Sequence, residues 1–379
     1  MIFGKPLVIT MFDLTDKSAD DKYHSFFIKL KAILFIFLCS MVSATFAETM
    51  KQGEYLGAKT SETPHWFKNS FLEFEEDVRE ATENNKRVMI YFHQEGCPYC
   101  AKLVEENFKN PQIENFVRKN FDGITINMWG DREIVSVAGQ SFSEKSFAEA
   151  LKVQYTPTIL FLNEKGKVAL RLNGYYPPDK FQQALQYVAQ KKEGKLSFNE
   201  FLQAQQPVKS GSLIAEDFFI NNIDLNALIS KAEKPLAIYF ESTDCVECDT
   251  LHQRILKDQA TRYLVNQMSN VQLDVNSDAL FTGPDGKQIS QREYARKLDI
   301  TYKPTVVLFD KQGNEVHRMD SFLKTFHFQS SLAYVLEQAY LSQPSFQRYI
   351  SSRGEKLREL GYDTDIWGYE SSYPGNLTK

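Results

Sequence analysis

Two cysteines, Cys97 and Cys100, are the residues best placed to do chemistry, set in the stretch VMIYFHQEGCPYCAK from Val88 to Lys102. An apolar run stops at the turn-prone His93-Gln94-Glu95-Gly96, and helical spacing at Leu103, Val104 and Phe108 follows the pair. A strand thus delivers two thiols to a helix start, where free N–H groups and the positive end of the helix dipole favour a thiolate on Cys97. Cys100, one turn inward, is close enough to form a disulfide with it. Ala101 excludes a haem attachment site, which needs His after the second cysteine. A local zinc site would need a second pair nearby, and the next cysteine is Cys245. A buried inert pair stays open, although Pro98 and Tyr99 between the cysteines and the strand–helix context favour an exposed motif.

The elements that must position this pair lie downstream. Pro157 stands ahead of the apolar run Thr158-Ile159-Leu160-Phe161-Leu162 and has to precede that strand, because inside it a ladder donor would be lost. Asn163-Glu164-Lys165-Gly166 reads as a hairpin turn and Gly174 follows a second strand. On these residues the chain resembles the thioredoxin superfamily, and across Pro64 to Val188 it looks like the exported SoxW-like thioredoxins, through HWFKNSF, EGCPYC, NMWGDRE and RLNGYYPP. The resemblance implies that Pro157 is cis, and that Thr156 and Pro157, with Pro98 and Tyr99, hold extended substrate backbone beside the cysteines. On the residues alone, an ordinary trans proline at a strand start remains open.

The pattern occurs twice. Leu236 to Phe240 leads to Cys245-Val246-Glu247-Cys248, and Lys303-Pro304 precedes the run Thr305 to Phe309. The expected fold is α/β: two tandem thioredoxin-like domains, each a central mixed sheet flanked by helices, over 62–193 and 216–346, with a join over 194–215 and a polar tail over 347–379. Within the first, a helix is expected in the segment Trp66 to Arg87, a strand over Phe121 to Asn127, an excursion over Met128 to Phe142, a helix capped by Ser143, and a closing helix from Phe181 to Gln190. Trp129 in the excursion reads as packed, with a substrate-facing role as the alternative.

Residues 1–47 read as a targeting segment. Lys29 and Lys31 precede an apolar run from Ala32 to Val42, which is short for a membrane span, and small residues suitable for cleavage follow at Ser43-Ala44 and Ala47. The expectation is export to the periplasm with no stable membrane insertion after cleavage; an uncleaved anchor is the alternative. The net charge of −5 contains +1 from this segment, so the remainder lies near −6 with no basic stripe, which argues against nucleic acid. Of five cysteines, Cys39 leaves with the segment and the other four form the two pairs, so the pairs are present for their reactivity and not as a staple framework.

The two sites differ. Asp244, Glu247 and Asp249 surround Cys245 and should make it the poorer nucleophile, whereas Cys97 has Glu95 and Lys102 nearby. The buried acid that thioredoxins carry six residues before the first cysteine is Tyr91 here and Tyr239 in the second half. The expected activity is thiol–disulfide exchange on exported protein disulfides, with Cys97 attacking, Cys100 resolving, and Cys245–Cys248 as a less activated second site. No cofactor or metal is called for. The resemblance implies a membrane thiol conduit as electron donor. Isomerase action, or a peptide-binding module with structural disulfides, remains the alternative.

Overall fold

The computed structural model describes residues 51–204 and 211–376. The targeting segment, Cys39 and the Gln205-Gln206-Pro207 part of the join lie outside the described residues. In chain order the first repeat runs β1 (Tyr55–Leu56), α1 (Phe74–Glu83), β2 (Arg87–His93), then α2 (Pro98–Lys102, continued by a wider turn over Leu103–Phe108) and α3 (Pro111–Asn120). It goes on through β3 (Phe121–Asn127), β4 (Glu133–Val135), β5 (Ser141–Ser143), α4 (Glu144–Ala150), β6 (Thr158–Leu162), β7 (Val168–Asn173), α5 (Pro178–Ala189) and α6 (Phe198–Gln203).

The second repeat follows the same plan: α7 (Leu225–Ser230), β8 (Leu236–Glu241), α8 (Val246–Gln253), α9 (Gln259–Val265), β9 (Ser269–Asp274), β10 (Leu280–Thr282) and β11 (Gln288–Ser290). After these come α10 (Gln291–Lys297), β12 (Thr305–Phe309), β13 (Glu315–Met319), α11 (Thr325–Leu336), α12 (Phe346–Glu359) and β14 (Thr364–Asp365).

Each repeat holds a four-stranded mixed sheet, β3-β2-β6-β7 and β13-β12-β8-β9. The central strands β2 and β8 pair in parallel with β3 and β9 and antiparallel to β6 and β12. Both central strands are covered by helices on their two faces, which is why they read as unbroken apolar runs in place of an alternating pattern. Local chemistry sets the ends. Ser143 caps α4 through a reciprocal pair with Ser146, and Asn110 caps α3 ahead of Pro111.

The repeat continues past the closing helix. Lys191 and Gln338 are both left-handed, Ser197 and Ser345 both cap the next helix, and Phe198-Asn199-Glu200-Phe201-Leu202 answers to Phe346-Gln347-Arg348-Tyr349-Ile350. Thus α6 lies within the segment read as a join, and α12 is its counterpart in the segment read as a tail.

The two repeats face one another about a local two-fold. Asn173 and Asp320 occupy equivalent positions, 147 residues apart, and the Asn173 amide donates to the Asp320 carboxylate at 2.8 Å. Gly174 has φ +74°, and a Cβ there would fall 2.2 Å from Ser321 Oγ, its own counterpart. Tyr99 packs edge-on to His327 at 5.2 Å between centroids, while the equivalent pair Glu247 and Lys180 forms an ion pair at 2.9 Å. This reciprocity is what an isologous interface requires. Tyr155 of the first repeat enters the core of the second, where its hydroxyl meets His317 Nε2, and Tyr302 of the second enters the core of the first, its ring 4.9 Å from Tyr176.

Burial at this interface has a pH signature. Desolvation holds His317 and His327 neutral, pushing them down to about 3 and about 4. An unfolded histidine takes up its proton near pH 6.5, so between about 6.5 and 4 the unfolded chain binds more protons and acidification destabilises the fold. Asp320 acts in the opposite sense, since burial raises its carboxyl despite the Asn173 hydrogen bond. His252 also opposes: burial alone would lower it, but Glu241 and Glu216 carry it above its usual value, a contribution lost on the alkaline side. The urea midpoint is expected to fall between pH 7 and pH 4.5, and to fall less steeply in His317→Asn. Equal slopes in the two proteins would mean that this imidazole is not kept neutral by the fold.

Candidate active site

Each cysteine pair is assembled by the same three pieces of chain. The central strand ends at a bend, the first cysteine caps the following helix, and a cis X–Pro bond closes in from the start of the next strand. Cys97–Cys100 and Cys245–Cys248 are both disulfides. Cys97 Sγ accepts the Cys100 N–H at 3.0 Å, and Cys245 Sγ accepts the Cys248 N–H at 3.1 Å. A sulfur so placed at a helix N-terminus is poised to bear negative charge once reduced.

The proline loops complete the sites differently. Thr156-Pro157 is cis, as the resemblance implies, and Lys303-Pro304 is cis as well. Thr156 Oγ1 donates to Cys97 Sγ at 3.4 Å, a second stabilising donor for a thiolate. In the second site Lys303 replaces that threonine and its ammonium lies 3.5 Å from Asp244. Of the three carboxylates around Cys245, two are therefore paired with cations: Asp244 with Lys303, and Glu247 with Lys180 of the first repeat. Burial alone would raise the Asp244 carboxyl, but Ser242 and Lys303 hold it below its usual value. The charge contrast between the sites is thus smaller than the sequence suggests. The missing Thr156 hydroxyl still leaves Cys245 less supported.

The sequence favours an exposed motif, and the structure shows the reverse. Cys97 and Cys245 are each 5 % exposed, Cys248 3 %, and Cys100 fully buried. The cause is the interface. Tyr99 is locked by the second repeat and the C-terminal segment: its hydroxyl accepts the Lys324 N–H at 2.8 Å and its ring meets Trp367 edge-on at 4.9 Å. Helix α12 lies over the Thr156-Pro157 loop, with the Phe346 N–H on Gln154 Oε1 and the Gln347 amide on the Gln154 carbonyl. The segment around β1 seals the remaining side, pairing with β14 while Lys59 N–H reaches the Gly96 carbonyl at 3.2 Å.

Among the described residues a cavity lies beside each first cysteine. One of about 470 Å³ is lined by Cys97, Pro98, Tyr99, Trp129, Thr156 and residues of the second repeat. The other, about 110 Å³, is lined by Cys245 and by Phe198, Asn199, Leu202 and Gln203 of α6. Each repeat's terminal helix therefore covers the other repeat's cysteines. Trp129 is half-buried, donates to Gln94 at 2.7 Å and faces the first cavity, so packing and proximity to the site hold together. Pro304 stands beside the second site in the place of Pro157. His93 stacks on Tyr91 at the strand end, with its imidazole lowered by burial.

Tyr91 and Tyr239 are fully buried where thioredoxins place an acid. The second repeat instead buries Glu241, two residues on, against His252 of α8 at 3.0 Å. The sequence gives this pair no prominence, because a lone Glu at a strand end looks like any surface carboxylate. Among the described residues no cluster of three or more His, Cys, Asp or Glu could hold a metal ion, and no helix is long and apolar enough to cross a membrane.

A family model described as a thioredoxin-like domain matches residues 74–189 and again 224–336, more than half of the chain. The chain is 26% identical over 114 residues to the thiol:disulfide interchange protein DsbD of Pectobacterium atrosepticum, covering 30% of this chain and 18% of that protein. It is 26% identical over 103 residues to anterior gradient protein 3 of Mus musculus, covering 27% and 54%. The match thus spans well under two thirds of either relative. Among solved structures it is similar to a thioredoxin-fold protein from Helicobacter pylori (23% identity, 36% of this chain and 91% of that one, TM-score 0.29) and to a thioredoxin from Thermus thermophilus (21%, 38% and 91%, TM-score 0.27).

Proposed function

We propose, from the premise that the chain belongs to the thioredoxin-like domain family, that it is an exported thiol–disulfide oxidoreductase acting through Cys97 and Cys100 as a reductase of protein disulfides. One observation carries the reading: Cys97 Sγ sits at the mouth of a helix with the Cys100 N–H and the Thr156 hydroxyl directed at it, and Cys100 within bonding reach. In the reduced protein the Cys97 thiolate attacks a substrate disulfide, the bond between the substrate sulfurs breaks, and the departing sulfur takes a proton. Cys100 then attacks Cys97 Sγ, re-forming the internal disulfide and releasing the second substrate thiol. Thr156 and Pro157, with Pro98 and Tyr99, hold the substrate backbone.

A dithiol donor must restore the pair. The similarity to a protein named for thiol:disulfide interchange supports a thiol-exchange donor, and we assign that role to a membrane thiol conduit. Cys245–Cys248, beside Pro304, is assigned as a second and less activated site. Residues 1–47 serve as the export signal, and the catalytic repeats are built on 62–193 and 216–346, each extended by its terminal helix, α6 or α12.

The burial of both pairs supports a second reading, a binding module with structural disulfides. The two part on one experiment. Cys100→Ser cannot resolve, so incubated with an extract of exported proteins it should accumulate mixed disulfides on Cys97 that dithiothreitol releases for mass spectrometry. A Cys100→Ser protein that captures nothing, beside a wild-type pair that resists dithiothreitol in the native state, would favour the binding module.

A further inference from the structure

The cavity at Cys97 is neither open like a surface groove nor filled like a core. Its 470 Å³ falls within the range of about 300–1,000 Å³ typical of small-molecule sites, whereas the 110 Å³ beside Cys245 holds only a few waters at roughly 30 Å³ each. The outer wall at Cys97 belongs to the second repeat and its terminal helix. That wall carries two buried polar atoms with no hydrogen-bond partner, Ser321 Oγ and His327 Nδ1. Native interiors rarely leave such atoms unmet without a ligand or water to meet them. Burial holds the His327 imidazole neutral, so it offers one donor and one acceptor in place of a charge.

The rest of the lining is mostly neutral and amide-bearing, with Glu95 as the one carboxylate; Gln94 donates to Gln347 and accepts from the Trp129 indole, Gln347 donates to the Gln154 carbonyl, and Asn127 accepts the Trp129 N–H, so these amides form a fixed polar wall. Neutral amides match a peptide backbone better than a strongly charged ligand. Access by a folded domain is blocked, because α12 already occupies the Gln154 edge of the proline loop where an incoming chain would lie.

We propose that the closed two-repeat structure makes the Cys97 site selective for short peptide disulfides, with Ser321 and His327 of the second repeat as specificity residues, and that folded disulfide proteins react only when the repeats part. The proposal rests on the oxidoreductase reading above. The chemistry is unchanged: two electrons pass from the Cys97–Cys100 dithiol to the peptide disulfide, whose sulfurs leave as two thiols, and the protons come from Cys100 and solvent. The dithiol is supplied beforehand by dithiothreitol.

The test is a single-turnover comparison on full-length protein, reduced with dithiothreitol and desalted. The substrates are a short, end-blocked cyclic peptide disulfide and insulin. Wild type is expected to reduce the peptide about a hundredfold faster than insulin or more. Asn173→Asp sets a second carboxylate against Asp320 on the two-fold. It should raise the insulin rate about tenfold while leaving the peptide rate within about twofold. Lys180→Glu, which turns the Glu247 ion pair into a repulsion, serves the same end should the first variant misfold. Ser321→Ala should raise the half-saturating peptide concentration with little change in the maximal rate.

Comparable wild-type rates on both substrates would overturn the selectivity, as would opening variants that expand in small-angle scattering yet gain nothing on insulin. Undiminished reaction of Cys97→Ser with both substrates would instead remove the oxidoreductase reading itself, so the two failures are separable.

Discussion

Cys97→Ser is expected to lower the single-turnover rate of peptide disulfide reduction by about a thousandfold or more, the order seen when a nucleophile is deleted from a catalytic unit, while Cys245→Ser stays within about threefold of wild type. The asymmetry has a structural basis. A serine hydroxyl at position 97 would keep the backbone N–H and the Thr156 hydroxyl around it but would not ionise near neutral pH, so no attacking anion forms. At position 245 the same change costs little in a single turnover that starts from a reduced first pair, because the two sites open into separate cavities. The measurement is thiol release from the peptide against time for the three proteins. A loss in Cys245→Ser as large as in Cys97→Ser would place the second pair in the path of the reaction and remove its secondary rank.

What could be read without coordinates was whatever depends on neighbours along the chain. The strand–bend–helix that presents Cys97, the proline ahead of β6, the capping by Ser143 and the doubling of the whole pattern are all short-range signals, and the described residues carry them. The closure of the sites was not legible, since it comes from contacts between residues such as Tyr99 and Lys324, 225 positions apart. One signal was within reach. The Phe-x-x-Phe-Leu of residues 198–202 returns as Phe-x-x-Tyr-Ile at 346–350, so that both terminal helices belong to the repeat. Each terminal helix packs its aromatic side on its own repeat, Phe198 and Phe201 on Tyr187 and Phe346 on Tyr334, and from there it reaches the cysteine cavity of the neighbouring repeat.

Two of the carboxylates around Cys245 have partners that are likewise distant along the chain. Lys180 neutralises Glu247 from the other repeat.

Phe346→Ala should be the most costly single truncation in the C-terminal segment, about 3–5 kcal/mol by comparison with other buried aromatics. The ring is fully buried, with His317 at 4.2 Å, Tyr334 at 5.3 Å and Tyr155 at 5.5 Å between centroids, so alanine leaves a cavity that these aromatic neighbours cannot easily close. Its position makes the loss informative beyond stability. Phe346 is the first residue of α12 and anchors the turn that carries Gln347, Ile350 and Ser351 over the Cys97 cavity. A loosened anchor should therefore speed reduction of the Cys97–Cys100 disulfide by a water-soluble phosphine at denaturant concentrations where the fold persists, and leave Cys245–Cys248 as it was. Urea unfolding with mass-resolved alkylation of each pair reads both effects in one protein. A stability loss under about 1 kcal/mol would mean that the ring contributes little to the core. A full loss with no change in phosphine reactivity would mean that α12 stabilises the second repeat without guarding the cysteines of the first.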